Sequence, residues 1–186
     1  MNRSQTALLH AKELQDAAFC ASPVLPTTQL AENRLEAVRE AVDAILLNCP
    51  DPLQVRDGAV HLYGVAQACA LIALRRGEDA ELAAIAGMLH DLSTYADAYT
   101  PDHAARSAAL ARTLLRRLAL FSAEEIERVC AAIACHSDKA HAHTAFAEVL
   151  LDADVLQHGL YNPTLFLLEE EVARFRALQQ EFSLAR

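Results

Sequence analysis

The stretch Glu81-Leu82-Ala83-Ala84-Ile85-Ala86-Gly87-Met88-Leu89-His90-Asp91 decides how this chain is read. Leu82, Ile85 and Leu89 recur at helical spacing on one face, so the run is an apolar helix that ends in an imidazole and a carboxylate. Neighbouring residues on a helix are about 100° apart around its axis, so His90 and Asp91 can wrap one ion from two sides. Outward from this run the same period persists. Alanine and leucine dominate, Gly and Pro are few, and no stretch alternates in the manner of a strand. The expectation is an all-α protein built as a single helical bundle.

The N-terminal residues Ala7, Leu8, Ala11, Leu14 and Ala18 predict a first helix that stops before Pro23. A second carries Leu35, Val38, Val42, Ile45 and Leu46 and ends near Asn48-Cys49-Pro50. Residues 1–50 are therefore expected to pack as N-terminal helices on a core of residues 51–186. After a polar stretch from Asp51 to Asp57, a third helix sets His61, Val65, Ala68 and Ile72 on one stripe, which places His61 inward.

The fourth helix is the one quoted above, and Ser93 to Thr100 reads as a loop after it. Thr100-Pro101 predicts an N-cap and first-turn proline for a fifth helix, with His103 in its first turn. Ser122 and Glu125 form a capping box, and the sixth helix turns Ile126, Val129, Cys130 and Ile133 inward with His136 on that face. In the seventh, Asp154 continues the buried stripe of Phe146 and Leu150, whereas Asp152 falls with Glu148 on a more polar face. Asn162-Pro163 restarts a last helix with the stripe Leu165, Leu168, Val172, Phe175 and Phe182, and Glu169 to Glu171 read as a solvated run.

A chain of 186 residues can bury a core without disulfides or structural metal. The net charge of -9 gives no overall basic footprint for duplex nucleic acid, so nucleic acid is not expected as the main partner. Cys20, Cys49, Cys69, Cys130 and Cys135 are odd in number and lack a C-x-x-C spacing, which reads as reduced, mostly buried thiols. Lys12, Glu13 and Asp16 interrupt the N-terminal apolar stretch, arguing against a signal peptide. No uninterrupted apolar run approaches the roughly 20 residues that span a bilayer. A cytoplasmic protein with no membrane partner is expected, with homo-oligomerisation left open.

Two imidazoles and two carboxylates, His61, His90, Asp91 and Asp154, thus fall on apolar helical faces. A single histidine there would ordinarily be a satisfied core residue. A carboxylate on a buried stripe, in contrast, is costly unless it is paired or binds a metal. Convergence of all four favours a divalent ion, and without cysteine among them Mn, Fe, Co, Ni or Mg suit the donors as well as Zn.

This ordered set resembles the HD-domain superfamily of metal-dependent phosphohydrolases. His61 is similar to its first histidine, Met88-Leu89-His90-Asp91-Leu92 to its eponymous motif and Ala153-Asp154-Val155-Leu156 to its closing aspartate. The segments Asp102-His103-Ala104 and Ala132-Ile133-Ala134-Cys135-His136-Ser137 resemble those in which two-metal members place further histidines. The resemblance implies metal ligation by His61, His90, Asp91, Asp154, His103 and His136, with one or two divalent ions and Asp91 as the bridge between two. It further implies hydrolysis of a phosphoester or phosphoanhydride in a small molecule by metal-activated water, with a nucleotide the leading candidate.

His103 and His136 are the residues expected to work on substrate as well as metal, while Lys139 and Arg106 would supply positive charge for a phosphate. His141 and His143 are expected to be exposed. Tyr95 and Tyr99 either wall the pocket or lie open to solvent, and Arg75-Arg76 and Arg116-Arg117 read as solvated or helix-terminal charges. The same six-residue pattern is also similar to that of HD-type di-iron oxygenases. A metal-stabilised binding protein without turnover is the remaining alternative.

Overall fold

A computed structural model of the chain describes residues 33–97, 101–161 and 167–184. The predicted first helix, Cys20, Tyr99, Thr100 and the Asn162-Pro163 restart lie outside the described residues. Residues Asn33–Arg186 form one compact unit. Among the described residues there are eight helices and no strand: α1 Arg34–Leu47, α2 Pro52–Arg76, α3 Ala80–Leu89, α4 Leu92–Asp97, α5 His103–Leu118, α6 Ala123–Cys135, α7 Ala145–Tyr161 and α8 Glu169–Glu181.

The polar stretch from Asp51 to Asp57, which the sequence reading sets before the third helix, is itself helical from Pro52 onward. Asp51 is the N-cap of α2, its side chain accepting the Leu53 N–H at 2.9 Å, and Pro52 sits in the first turn where its missing donor costs nothing. Gly77 ends α2 in the left-handed region (φ 75°), which lets the Glu78 N–H return to the Ala73 carbonyl at 2.9 Å. Asp79 then caps α3, whose residues from Leu82 to Leu89 are all buried.

That complete burial follows from position, because α3 packs against α1, α2, α6 and α7. At Gly87 an added Cβ would lie 2.7 Å from Ala66 Cα and 2.8 Å from Ala66 N, so α2 and α3 meet backbone to backbone. α2 is long and apolar enough by composition to cross a membrane, with a mean hydropathy of 1.3 over 18 residues. It nevertheless packs on α3 and α7 in this bundle.

The boundaries on either side of residues 98–100 also differ from the sequence reading. The predicted loop from Ser93 is in part the short helix α4, because Leu92 and Ser93 are buried and Ser93 is tied down by Ser107 Oγ, to which its N–H donates at 3.1 Å. Pro101 is not the first residue of α5. It lies in a turn before Asp102, which takes a left-handed conformation (φ 54°) and gives the helix no side-chain cap.

At the other end of the bundle α8 packs along α7, with the Phe175 ring filling the space where a side chain on Gly159 would be. Phe175 and Leu178 are buried, whereas Leu168, expected in the stripe, precedes the helix and is exposed. Of the glutamate run, Glu169 and Glu170 are exposed, but Glu171 is buried.

Asp152, expected with Glu148 on a more polar face, is only 8 % exposed. Its carboxylate binds Arg76 Nη1 at 2.8 Å and Arg174 Nη1 at 2.9 Å, and so joins α2, α7 and α8. Arg76 is correspondingly no free terminal charge. Cys69 and Cys130 are buried, while Cys49 and Cys135 are partly exposed.

Candidate metal centre

Five helix ends and faces converge on one point. His61 comes from α2, His90 caps the end of α3 and Asp91 follows it, His103 opens α5, His136 caps α6 and Asp154 comes from the middle of α7. Each of three imidazoles is anchored through Nδ1. His90 donates to the Gly87 carbonyl at 2.7 Å, His136 to the Ile133 carbonyl at 2.8 Å, and His61 to Gln157 Oε1 at 3.0 Å. With Nδ1 spent on an oxygen acceptor, the neutral ring turns its Nε2 lone pair to the centre, as a metal-ligating histidine does.

His61 Nε2 and His90 Nε2 are 3.1 Å apart. Asp154 Oδ1 lies 3.7 Å from each of them, and Asp91 Oδ2 lies 3.5 Å from His61 Nε2 and 3.7 Å from His90 Nε2. The other oxygen of Asp91 faces a second pair, 3.3 Å from His136 Nε2 and 3.6 Å from His103 Nε2. The ligand atoms thus fall into two groups that could each hold an ion, His61/His90/Asp154 and His90/Asp91/His136.

The residues fit such a group on physical grounds. Asp91 Oδ1 and Asp154 Oδ1 are buried without a hydrogen-bond partner, and two imidazole lone pairs face each other beside them. Buried acceptors without donors are costly, and a divalent cation satisfies all of them at once. Nitrogen and oxygen donors without thiolate are suited to Mn, Fe, Co, Ni or Zn, and the carboxylates also to Mg.

Burial is the largest influence on each of these groups, and it is overcome to different degrees. It drives the fully buried His90 down to about 4, so that this ring stays neutral. It also pulls His61 downward, but Asp91, Asp154 and Gln157 outweigh it and raise His61 above its usual value. Burial pushes Asp154 upward, yet His90, Lys139, His158 and His61 hold it at about 2. Asp91 is likewise held well below the usual carboxylate range, against burial, by His90, His136 and His61.

Around the centre lie residues that periodicity alone did not mark. Ser137 Oγ is 3.0 Å from His103 Nε2 and 3.4 Å from His136 Nε2. His158 stacks on His61 with ring centroids 5.3 Å apart, and its Nε2 is 3.5 Å from Asp154 Oδ1. The spacing Asp154 to His158, one helical turn, is the signal that could have revealed it. Gln157 and Glu171 carry no such local signal, because their partners are distant in sequence.

Lys139 does not stand open to solvent beside the site. Its ammonium binds Asp154 Oδ2 at 2.7 Å and Glu171 Oε1 at 2.8 Å. Arg106 is half-buried in α5, one turn beyond His103. His141 is exposed as expected, but His143 is only 19 % exposed, its Nε2 donating to the Asp138 carbonyl at 2.9 Å. Tyr95 is half-buried, packs over Gly58 and lines a cavity of about 540 Å³ with residues of the α1–α2 connection.

The class that fold and site define is an all-α bundle whose helices gather His and Asp side chains, in the order His, His-Asp, His, His, Asp, into clusters that could hold a metal ion. The chain belongs to the HD domain family, whose sequence profile matches residues 58–159, more than half of its length. Among solved structures, it is similar to a predicted HD superfamily hydrolase from an uncultured Thermotogales bacterium. The two share 24 % identity with a TM-score of 0.52, over 86 % of this chain and 96 % of that one, which is a likeness of fold. No curated protein matches the chain.

Proposed function

We propose that this protein is a metal-dependent phosphohydrolase acting on a phosphoester or phosphoanhydride of a small molecule, with nucleotides the leading substrate class. The observation that carries this reading is the split of Asp91, one oxygen toward His61 and His90 and the other toward His103 and His136. A carboxylate so placed can bridge two ions. His61, His90, Asp91 and Asp154 would hold one, and Asp91, His103 and His136 the other. Bound together, such ions activate water and neutralise charge on a phosphoryl group, so no Ser or Cys nucleophile is needed.

The chain's own residues supply the rest. Gln157 and the Gly87 and Ile133 carbonyls fix the imidazole tautomers, and Asp91 and Asp154 stay ionised despite burial. Ser137 Oγ, placed between His103 and His136, can orient a polar substrate atom there. The start of α5, which lacks a side-chain cap, and Arg106 one turn later provide backbone donors and charge for a phosphate.

The HD family membership and the solved HD superfamily hydrolase support the chemistry in general. The test is a panel of nucleotides and generic phosphoesters offered to stripped protein reloaded separately with Mn, Fe, Co, Ni, Mg or Zn. Metal-dependent phosphate release is expected. Inactivity with every metal, accompanied by oxygen uptake in the iron form, would overturn the proposal in favour of an oxygenase.

A further inference from the structure

The two oxygens of Asp154 have different surroundings. Oδ1 has no hydrogen-bond partner and faces Nε2 of His61 and His90 at 3.7 Å. Oδ2 instead accepts from Lys139 Nζ at 2.7 Å. The lysine is itself braced: Nζ also donates to Glu171 Oε1 at 2.8 Å, and Glu171 Oε2 accepts the Leu168 N–H at 3.1 Å, which fixes the glutamate at the start of α8. The side chains of Lys139 and Glu171 are 10 % and 8 % exposed, so water competes little for these bonds.

A carboxylate can ligate through one oxygen or both. Large, hard cations such as Ca²⁺ take six to eight oxygens and often use both oxygens of a carboxylate, whereas smaller ions with firmer geometry accept one. We propose that Lys139, braced by Glu171, is a positioning residue that reserves Oδ2 and restricts Asp154 to one-oxygen ligation, so that the centre discriminates against Ca²⁺ in favour of smaller divalent ions. This inference rests on the metal-binding reading above and assigns the lysine a role other than phosphate binding.

Removing Lys139 would also remove a positive charge, which strengthens the attraction for every divalent ion. That contribution is nearly the same for two ions of equal charge. The ratio of their affinities therefore isolates how the carboxylate binds.

The experiment uses chelator-stripped full-length protein, with free Mn²⁺ followed by electron paramagnetic resonance and Ca²⁺ added as competitor. In Lys139→Met the ratio of the Ca²⁺ Kd to the Mn²⁺ Kd should fall about tenfold, the scale on which partners of metal ligands act, while Lys139→Arg, which can still donate to Oδ2, restores most of it. If Lys139→Met fails to fold, Lys139→Gln is read instead. Its shorter side chain cannot hold both carboxylates, and the ratio should shift in the same direction. A shifted Mn²⁺ affinity with an unchanged ratio would overturn the lysine's role alone. Absence of Mn²⁺ binding by wild type would overturn the metal reading and this inference with it.

Discussion

Asp152 and Asp154 share one helix and are both buried, yet only Asp154 has an oxygen left without a partner. Asp154→Asn should therefore lose most of the bound metal and activity, because it replaces a ligand with a weak one, as metal analysis of the purified variant would show. Asp152→Asn should keep its metal and lose stability. Breaking a buried ion pair by removing one charge costs about 3 kcal/mol or more, and Asp152 is the joint partner of Arg76 and Arg174. Equal metal loss in both variants would refute this division. The phase of α7 was legible in the sequence, since Phe146, Leu150 and Asp154 do share an inward face. The cover over its other face was not. Asp152 and Glu148 share Arg174 as a partner, but that arginine comes from α8, and helical periodicity carries no information about which distant helix lies on a polar face.

The position of one helix against another sets the distance between the first two histidines. Gly87 allows α3 to touch the α2 backbone at Ala66, and its carbonyl anchors His90. Gly87→Ala should push the helices apart, lower stability by about 1–3 kcal/mol as overpacking does, and weaken metal binding by separating His61 from His90. Thermal melts and a Mn²⁺ titration check both effects, and unchanged affinity would show that the centre adapts to helix separation. Helices with strong signals were readable in outline. The Ser122–Glu125 box caps α6, and the apolar run before His90 is α3. Proline was the poorer guide. Pro52 opens α2 within the polar stretch set before that helix, and Pro101 precedes α5 because Asp102 takes up a left-handed turn that no composition signal announces.

For the whole molecule, metal and protons compete for the histidines, and at lower pH protons act on a separate set of carboxylates. A metal at a hundred times its Kd adds about 2.7 kcal/mol if it binds only the native protein, and at roughly 2–4 °C per kcal/mol for a chain of this size the melting temperature should rise by about 5–10 °C. Chelation should reverse this rise. The gap between loaded and stripped protein should narrow as pH falls into the histidine range, since ligands must be deprotonated. His61 contributes to that narrowing, because its raised pKa favours its proton in the stripped fold, whereas His90 remains neutral down to about 4. At lower pH a different set takes over. Burial raises Glu148, but Arg174 and the His143 N–H outweigh it; Arg76 is the chief influence on Glu181, and both carboxyls lie below their usual 4.5. A carboxyl depressed in the fold stabilises fully above its unfolded value and ceases to do so as pH falls through the folded one. Stripped protein should therefore lose stability below about pH 4.5, and Arg174→Met should flatten that loss while leaving the histidine-range narrowing intact. Melting curves of loaded and stripped protein from about pH 8 to about pH 3 separate the two effects, and an unaltered acid limb in Arg174→Met would show that the α7–α8 ion pairs do not govern it.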